Sequence, residues 1–137
     1  MNNKKILVVD DSWVILKVLS LKLKSAGYEV LTAPDGATAV SVARQHLPDL
    51  IVLDINLPPD VNQSWDAFSL MQWLRRIDGL ANVPIIIITS DDPAKFKERS
   101  LAAGAVAFFH KPIDHDELVA TIRKSLGESS VEAQPTA

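Results

Sequence analysis

The sequence predicts an α/β fold of type (βα)5, doubly wound, with helices on both faces of a five-stranded parallel sheet in three α/β/α layers. Three observations predict it. Residues 6–9, 50–53 and 85–88 are short runs, apolar at every position and rich in Ile and Val, closed by Asp10, Asp54 and Thr89. Unbroken hydrophobicity over so short a run suits a strand buried on both faces, as parallel sheets require. Segments with helical periodicity separate the runs, so strand and helix alternate along the chain. The length of 137 residues is that of one domain, enough to bury a sizeable core without staples.

The elements follow in order. After the first strand, Val14, Val18, Leu21 and Ala26 recur at spacings of three to five, and Gly27 stands where a helix ends. Residues 29–33 form a weaker, more alternating run, as suits an edge strand. Ala37, Val40 and Ala43 mark a second helix, which stops before Pro48 because a proline disfavours helix at the residue preceding it. Past the strand at 50–53, a helix over 67–77 carries Leu70, Met71 and Leu74 on one side, with Phe68 nearby. Pro93 suits a first helical turn, and that helix runs to about 103, ended by Gly104. Residues 106–109 form the last strand, closed by His110 and Lys111. Asp114 and Glu117 have capping-box spacing, and Leu118, Ile122 and Leu126 give the final helix its buried stripe. Residues 1–126 are thus the domain, and 127–137, with almost nothing to bury, are expected to be a flexible tail or the start of a linker.

Composition excludes several functions. Hydrophobic residues at 47% and charged residues at 23% rule out wholesale disorder. The absence of cysteine excludes a disulfide framework, a thiolate metal site and a thiol nucleophile, and fits residence in a reducing cytoplasm. A net charge of -3 argues against a sequence-blind grip on nucleic acid, which needs many Lys and Arg contacts to phosphate. The longest apolar run, 83–88, is broken by Pro84 and is far too short to span a membrane. The start of the chain meets Asp10 and Asp11 too early for a signal peptide. A soluble protein is expected.

Right-handed crossovers bring the C-terminal ends of all strands to one edge, where ligands of open α/β sheets bind. That edge should present Asp10 and Asp11 from the first strand, Asp54 from the third, Thr89 and Ser90 from the fourth, and Lys111 from the fifth. Crowded carboxylates repel unless a cation joins them. Hard carboxylate oxygens make Mg²⁺ the natural candidate, its shell completed by water and a phosphoryl oxygen. A carboxylate beside Mg²⁺ and a lysine can be a nucleophile toward phosphorus, with Lys111 and the Thr89 hydroxyl orienting the transferred oxygens.

With these residues in place, the chain resembles the receiver domain of bacterial two-component response regulators, the CheY-like family. The matching stretches are Ile6-Leu7-Val8-Val9-Asp10-Asp11, Asp54-Ile55-Asn56-Leu57-Pro58, Ile88-Thr89-Ser90 and Lys111-Pro112, with turns at Gly27-Tyr28 and Asp35-Gly36. They cover residues 4 to 126. The resemblance implies the flavodoxin-like strand order 2-1-3-4-5. It implies that Asp54 is the phosphoacceptor. Asp11, Asp54 and the Asn56 backbone carbonyl would bind Mg²⁺ directly, with Asp10 assisting through water. Lys111 would pair with the phosphoryl group and Thr89 would turn inward to hydrogen-bond it. Phe108 matches the family's switch aromatic, Asn56 and Asp91 match positions that tune phosphoryl lifetime, and the Lys111-Pro112 bond is expected to be cis.

One departure stands out. Residues 58–66 make the segment after Asp54 longer than is usual, and Ala67 stands where a glycine is common. The lengthening is local and should spare the site, while loop 59–66 could shield the phosphoryl group or contact a partner. Trp65 on it either packs the loop down or makes such a contact. Taken singly, Asp10 and Asp11 read as helix-capping carboxylates, Lys111 as a solvated lysine and Thr89 as a strand-end cap; their joint register with Asp54 is what points to a site. Trp13 is expected to be partly exposed. His46 and His115 read as surface residues, and His110 as turned away from the site. No two histidines have zinc-ligand spacing. Phe108 and Phe109 should point to opposite faces.

The function expected is a phosphorylation-controlled signalling module that takes a phosphoryl group from a histidine kinase or phosphotransfer protein. It would switch contacts with a downstream protein or output domain through residues 93–126. It would catalyse its own phosphorylation and hydrolysis but turn over no external substrate. Direct nucleic-acid binding and membrane contact are not expected, and a homodimer stays open. A phosphorylation-independent adaptor is the alternative, but it predicts loss of an acidic residue or of Lys111, and none is lost. A flavodoxin relative is disfavoured because Asp10-Asp11-Ser12 would repel the cofactor phosphate. A haloacid-dehalogenase phosphatase lacks its second aspartate in Asp54-Ile55-Asn56. The chain is either a stand-alone receiver or the receiver fragment of a longer regulator.

Overall fold

The computed structural model describes residues 4–56, 67–90 and 93–127. Five strands, β1 (Lys5–Val9), β2 (Glu29–Ala33), β3 (Leu50–Asp54), β4 (Ile85–Thr89) and β5 (Ala107–His110), alternate with five helices. The helices are α1 (Trp13–Ser25), α2 (Gly36–His46), α3 (Ala67–Arg75), α4 (Pro93–Ala102) and α5 (His115–Ser125). All pairings are parallel and the sheet order is β2-β1-β3-β4-β5, so the expected fold and strand order are both found.

Strand alternation divides the interior in two. Leu7, Val9, Ile51, Leu53, Ile85 and Ile87 face α2 and α3, where they meet Ala39, Ala43, Leu70, Met71 and Leu74. Ile6, Val8, Leu50, Val52, Ile86 and Ile88 face α1 and α5, against Leu19, Leu23, Leu118 and Ile122. Both sets are fully buried, which is why β1, β3 and β4 read as continuous apolar runs.

The helix ends follow local chemistry. Ser12, Asp35 and Asp114 cap α1, α2 and α5, each accepting from a backbone N–H in the first turn. The helix at α1 is the expected one, but its buried face is not the one the apolar rhythm marked. Leu19 and Leu23 are buried with Ile15 and Leu16 packed beside them, whereas Val14, Val18 and Leu21 are exposed. Apolar residues occupy nearly every position of this helix, so more than one stripe satisfies a 3.6-residue period. The helix at α3 ends two residues before Ile77, because Arg76 and Ile77 donate to carbonyls three residues back, tightening the turn.

Arg75, in the last turn of α3, donates to Val83 O and Gly104 O at 3.2 Å each and to Ala103 O at 3.5 Å. Its partners include the final carbonyls of the α4–β5 turn, where a cation meets the negative end of the helix dipole. From the other side, the Arg99 guanidinium of α4 lies over the Phe68 ring of α3, 4.0 Å from its centroid. The expected tail beyond Gly127 and loop 59–66, including Trp65, lie outside the described residues.

Candidate functional site

The site is built where the strands end. Asp10 follows β1, Asp54 closes β3, Thr89 closes β4 and Lys111 follows β5. Each position is tied to its neighbour strand. Asp10 N donates to Ala33 O (3.1 Å), Ile55 N to Ile88 O (2.9 Å) and Lys111 N to Thr89 O (2.8 Å). The ladder therefore carries through to the C-terminal edge of the sheet, and the side chains depart from a fixed frame.

Asp10 and Asp54 share the parity of the residues facing α1 and α5, and they adopt the same posture. Each uses Oδ1 to accept the backbone N–H two residues on: Ser12 N at 2.8 Å for Asp10, and Asn56 N at 2.9 Å for Asp54. Each turns Oδ2 toward one ammonium, Lys111 Nζ, at 2.8 Å from Asp10 and 3.4 Å from Asp54. Asp10 and Asp54 are buried, and Asp11 is exposed beside them. Oxygens of all three carboxylates lie within 4.8 Å of one another.

Three carboxylates and one ammonium leave a surplus of negative charge, and the pKa directions follow. Burial raises the Asp54 carboxyl to about 6, with repulsion from Asp10 adding to the rise and the Asn56 N–H and Lys111 opposing it. Burial acts to lower the Lys111 pKa, but hydrogen bonding and attraction from Asp10 and Asp54 outweigh it, so the ammonium is held above its ordinary range. The donor set is all hard oxygen and under-neutralised, with Asp11 giving access from solvent. It suits a divalent cation such as Mg²⁺.

Thr89 is fully buried, and its hydroxyl donates to Asn56 Oδ1 at 2.6 Å. Ser90 N donates to the same oxygen at 3.3 Å. Asn56 thus holds the Asp54 carboxylate with its backbone and the strand end of β4 with its side chain. The family resemblance suggests a tuning role for Asn56 but does not point to it as Thr89's partner, because the two are 33 residues apart and meet only through the sheet. Phe108 and Phe109 lie on opposite faces, Phe108 against the α2 and α3 core and Phe109 against that of α1 and α5. His110 is exposed, as is Trp13, and the Lys111-Pro112 bond is cis. Asp91 lies outside the described residues.

The sequence pattern of the response regulator receiver domain matches residues 6–123. The polar-differentiation response regulator DivK of Brucella anthropi is 30% identical over 126 residues, covering 92% of this chain and 98% of DivK. The DNA-binding transcriptional regulator RpaA of Synechocystis is 35% identical over 122 residues, 89% of this chain but 48% of RpaA. The chain thus spans about half the length of that relative. Among solved structures, the receiver domain of the sensor histidine kinase PA1611 of Pseudomonas aeruginosa has a magnesium ion coordinated in its active-site cleft. It superimposes with a TM-score of 0.79 at 30% identity, over 92% of this chain and 99% of that one.

Proposed function

The chain belongs to the response regulator receiver domain family, and on that footing we propose that Asp54 accepts a phosphoryl group from a phosphohistidine of a histidine kinase or phosphotransfer protein. The observation that carries this reading is the pair of buried carboxylates, Asp10 and Asp54, each pinned through Oδ1 and each facing Lys111 through Oδ2. Such a pair has one anchored and one available oxygen at the acceptor.

Asp54 Oδ2 is then the nucleophile. Its bond to phosphorus forms as the phosphorus–nitrogen bond of the donor imidazole breaks, and the imidazole, already protonated on its other ring nitrogen, departs neutral with the bonding pair. A carboxyl raised to about 6 is still mainly ionised at neutral pH, and it is more basic than an ordinary aspartate. Lys111 moves with the charge from the carboxylates to the phosphoryl oxygens, and the Thr89 hydroxyl donates to one of them. Asp11, Asp54 and the Asn56 backbone carbonyl would hold Mg²⁺ directly, with Asp10 assisting through water, and the bound ion would supply the positive charge an anionic donor needs to approach this acidic pocket.

The chain would catalyse its own modification and its own slow hydrolysis, without turnover of an external substrate. Phe108 would follow Thr89 in the switch, Asn56 and Asp91 would tune phosphoryl lifetime, and residues 93–126 would carry the changed surface to a protein target or output domain. Among the described residues no helix is long and apolar enough to cross a membrane.

Intact mass after incubation with acetyl phosphate tests the chemistry. One added phosphoryl group that requires both Mg²⁺ and Asp54, and is absent in Asp54→Ala, is the expected result. No adduct under conditions where Mg²⁺ binds and hydrolysis is trapped would move the chain to the phosphorylation-independent adaptor class.

A further inference from the structure

The Thr89 hydroxyl is already engaged in this structure. It is buried, and Asn56 Oδ1 lies 2.6 Å from it. The direction of that bond is fixed by a third group. Ser90 N, a backbone donor that cannot accept, also points at this Asn56 atom at 3.3 Å, so the atom is the carbonyl oxygen and not the amide nitrogen. Facing a carbonyl oxygen, Thr89 must donate, and a hydroxyl has one proton to give.

Backbone movement cannot readily release it. Thr89 O accepts from Lys111 N at 2.8 Å, and the preceding carbonyl, Ile88 O, accepts from Ile55 N at 2.9 Å. Thr89 is therefore held from both neighbouring strands, and the freedom that remains is rotation about χ1 among a few staggered positions. Asn56 is likewise tied, its N–H bonded to Asp54 Oδ1 at 2.9 Å. One residue is thus bonded to the proposed acceptor and to the hydroxyl at the same time.

We propose that Asn56 is a positioning residue that acts as the resting-state acceptor of the Thr89 hydroxyl proton, in competition with the phosphoryl oxygens that form on Asp54. The inference rests on the reading of Asp54 as phosphoacceptor and assigns the Asn56 side chain its physical role. Phosphorylation must break the Asn56–Thr89 bond before Thr89 can donate to the new group. The Asn56 carboxamide therefore sets how far the switch is biased toward the unmodified arrangement, and it does so through Thr89.

A double-mutant cycle on binding of beryllofluoride, a tetrahedral mimic of the phosphoryl group, tests this with the Mg²⁺-loaded chain. Asn56→Ala should tighten beryllofluoride binding by about 3- to 10-fold, the span of one neutral hydrogen bond. The same gain should appear in the Thr89→Ser chain, which keeps the hydroxyl, and vanish in the Thr89→Val chain, which lacks it. Any effect of Asn56→Ala exerted through the metal would appear in all three backgrounds, so the comparison isolates the hydroxyl. Without metal, thermal unfolding of the same chains should show Asn56→Ala and Thr89→Val to be non-additive. Unchanged or weaker binding by Asn56→Ala, or an equal change with and without the hydroxyl, overturns the proposal while leaving the acceptor reading intact. A parent chain that binds Mg²⁺ but no beryllofluoride overturns the acceptor reading and this inference together.

Discussion

Lys111 Nζ lies 2.8 Å from Asp10 Oδ2 and 3.4 Å from Asp54 Oδ2, so at rest the lysine leans on the carboxylate that is not the proposed acceptor. Its ammonium is the counter-charge between two buried acids. Lys111→Met removes it and leaves the two carboxylates facing each other, a change that typically costs several kcal/mol in fully buried pairs and about 2 kcal/mol at this partly open site. Urea unfolding at pH 7.5 without Mg²⁺ should show that loss. Saturating Mg²⁺ should recover most of it, and an equal loss with and without metal would mean that the lysine acts through packing alone.

The Asp54 carboxyl gives the metal-free chain a pH dependence of definite sign. Its pKa rises from an ordinary 3.8 to about 6 on folding, so the folded state holds this proton more tightly than the unfolded state. The stabilisation is complete below about pH 4 and is lost as pH rises through about 6. Asp54→Asn cannot ionise and escapes the loss. Relative to the parent it should gain about 2 to 3 kcal/mol between pH 4 and pH 8. Urea midpoints of the two chains at both pH values measure this, and parallel pH profiles would refute it.

Asp11 is the exposed member of the acidic cluster, while Asp10 and Asp54 are buried. Asp11→Asn should therefore alter stability by no more than about 0.5 kcal/mol, the usual range for a surface change. It should nevertheless weaken Mg²⁺ binding by about 10-fold or more, since a direct ligand matters at least as much as an outer-shell partner. Isothermal titration with MgCl₂ separates the two effects. Unchanged affinity would remove Asp11 from the ligand set.

Gly104 adopts φ +102, and a Cβ there would stand 2.8 Å from Arg75 Nη1. Gly104→Ala should cost about 1 to 2 kcal/mol from the backbone conformation, because an L side chain disfavours positive φ. A further loss comes from displacing the arginine. In an Arg75→Met background the displacement cost falls away, so the two substitutions should be less than additive. Strict additivity in urea unfolding would show that Arg75 moves aside freely.

The fold was readable because three of the five strands are buried on both faces, and their short Ile- and Val-rich runs alternate regularly with helical patterns. Asp10, Asp54 and Thr89 were readable for the same reason, since each is counted from the end of such a run, whereas Lys111 is counted from the end of the half-buried β5. The buried face of α1 was not, because its sequence WVILKVLSLKLKS is apolar around much of its circumference and the sheet alone selects Leu19 and Leu23. Arg75 was also hidden. A cation in the last turn of a helix reads as a solvated charge, and only the tertiary fold delivers the carbonyls of Val83 and Gly104 to it. The Asn56–Thr89 contact has no local signature at all, as it depends on a strand register that places Asp54 opposite Ile88.

That register has a consequence for how the protein can vary. Asp10, Asp54, Thr89 and Lys111 are separated by long stretches of chain, yet each sits at a strand terminus whose neighbour is fixed by cross-strand pairing. The sheet is the coordinate frame of the site, and chain length between strands is not one of its coordinates. A connection can grow or shrink in a lineage and leave every distance among these four groups as it was. Deleting one residue inside β3 is another matter. The two-residue period would turn Asp54 toward α2 and α3 and carry each apolar residue between the deletion and the site to the opposite face. Variation in this family of shapes is thus partitioned by geometry, free in the loops and quantised in the strands.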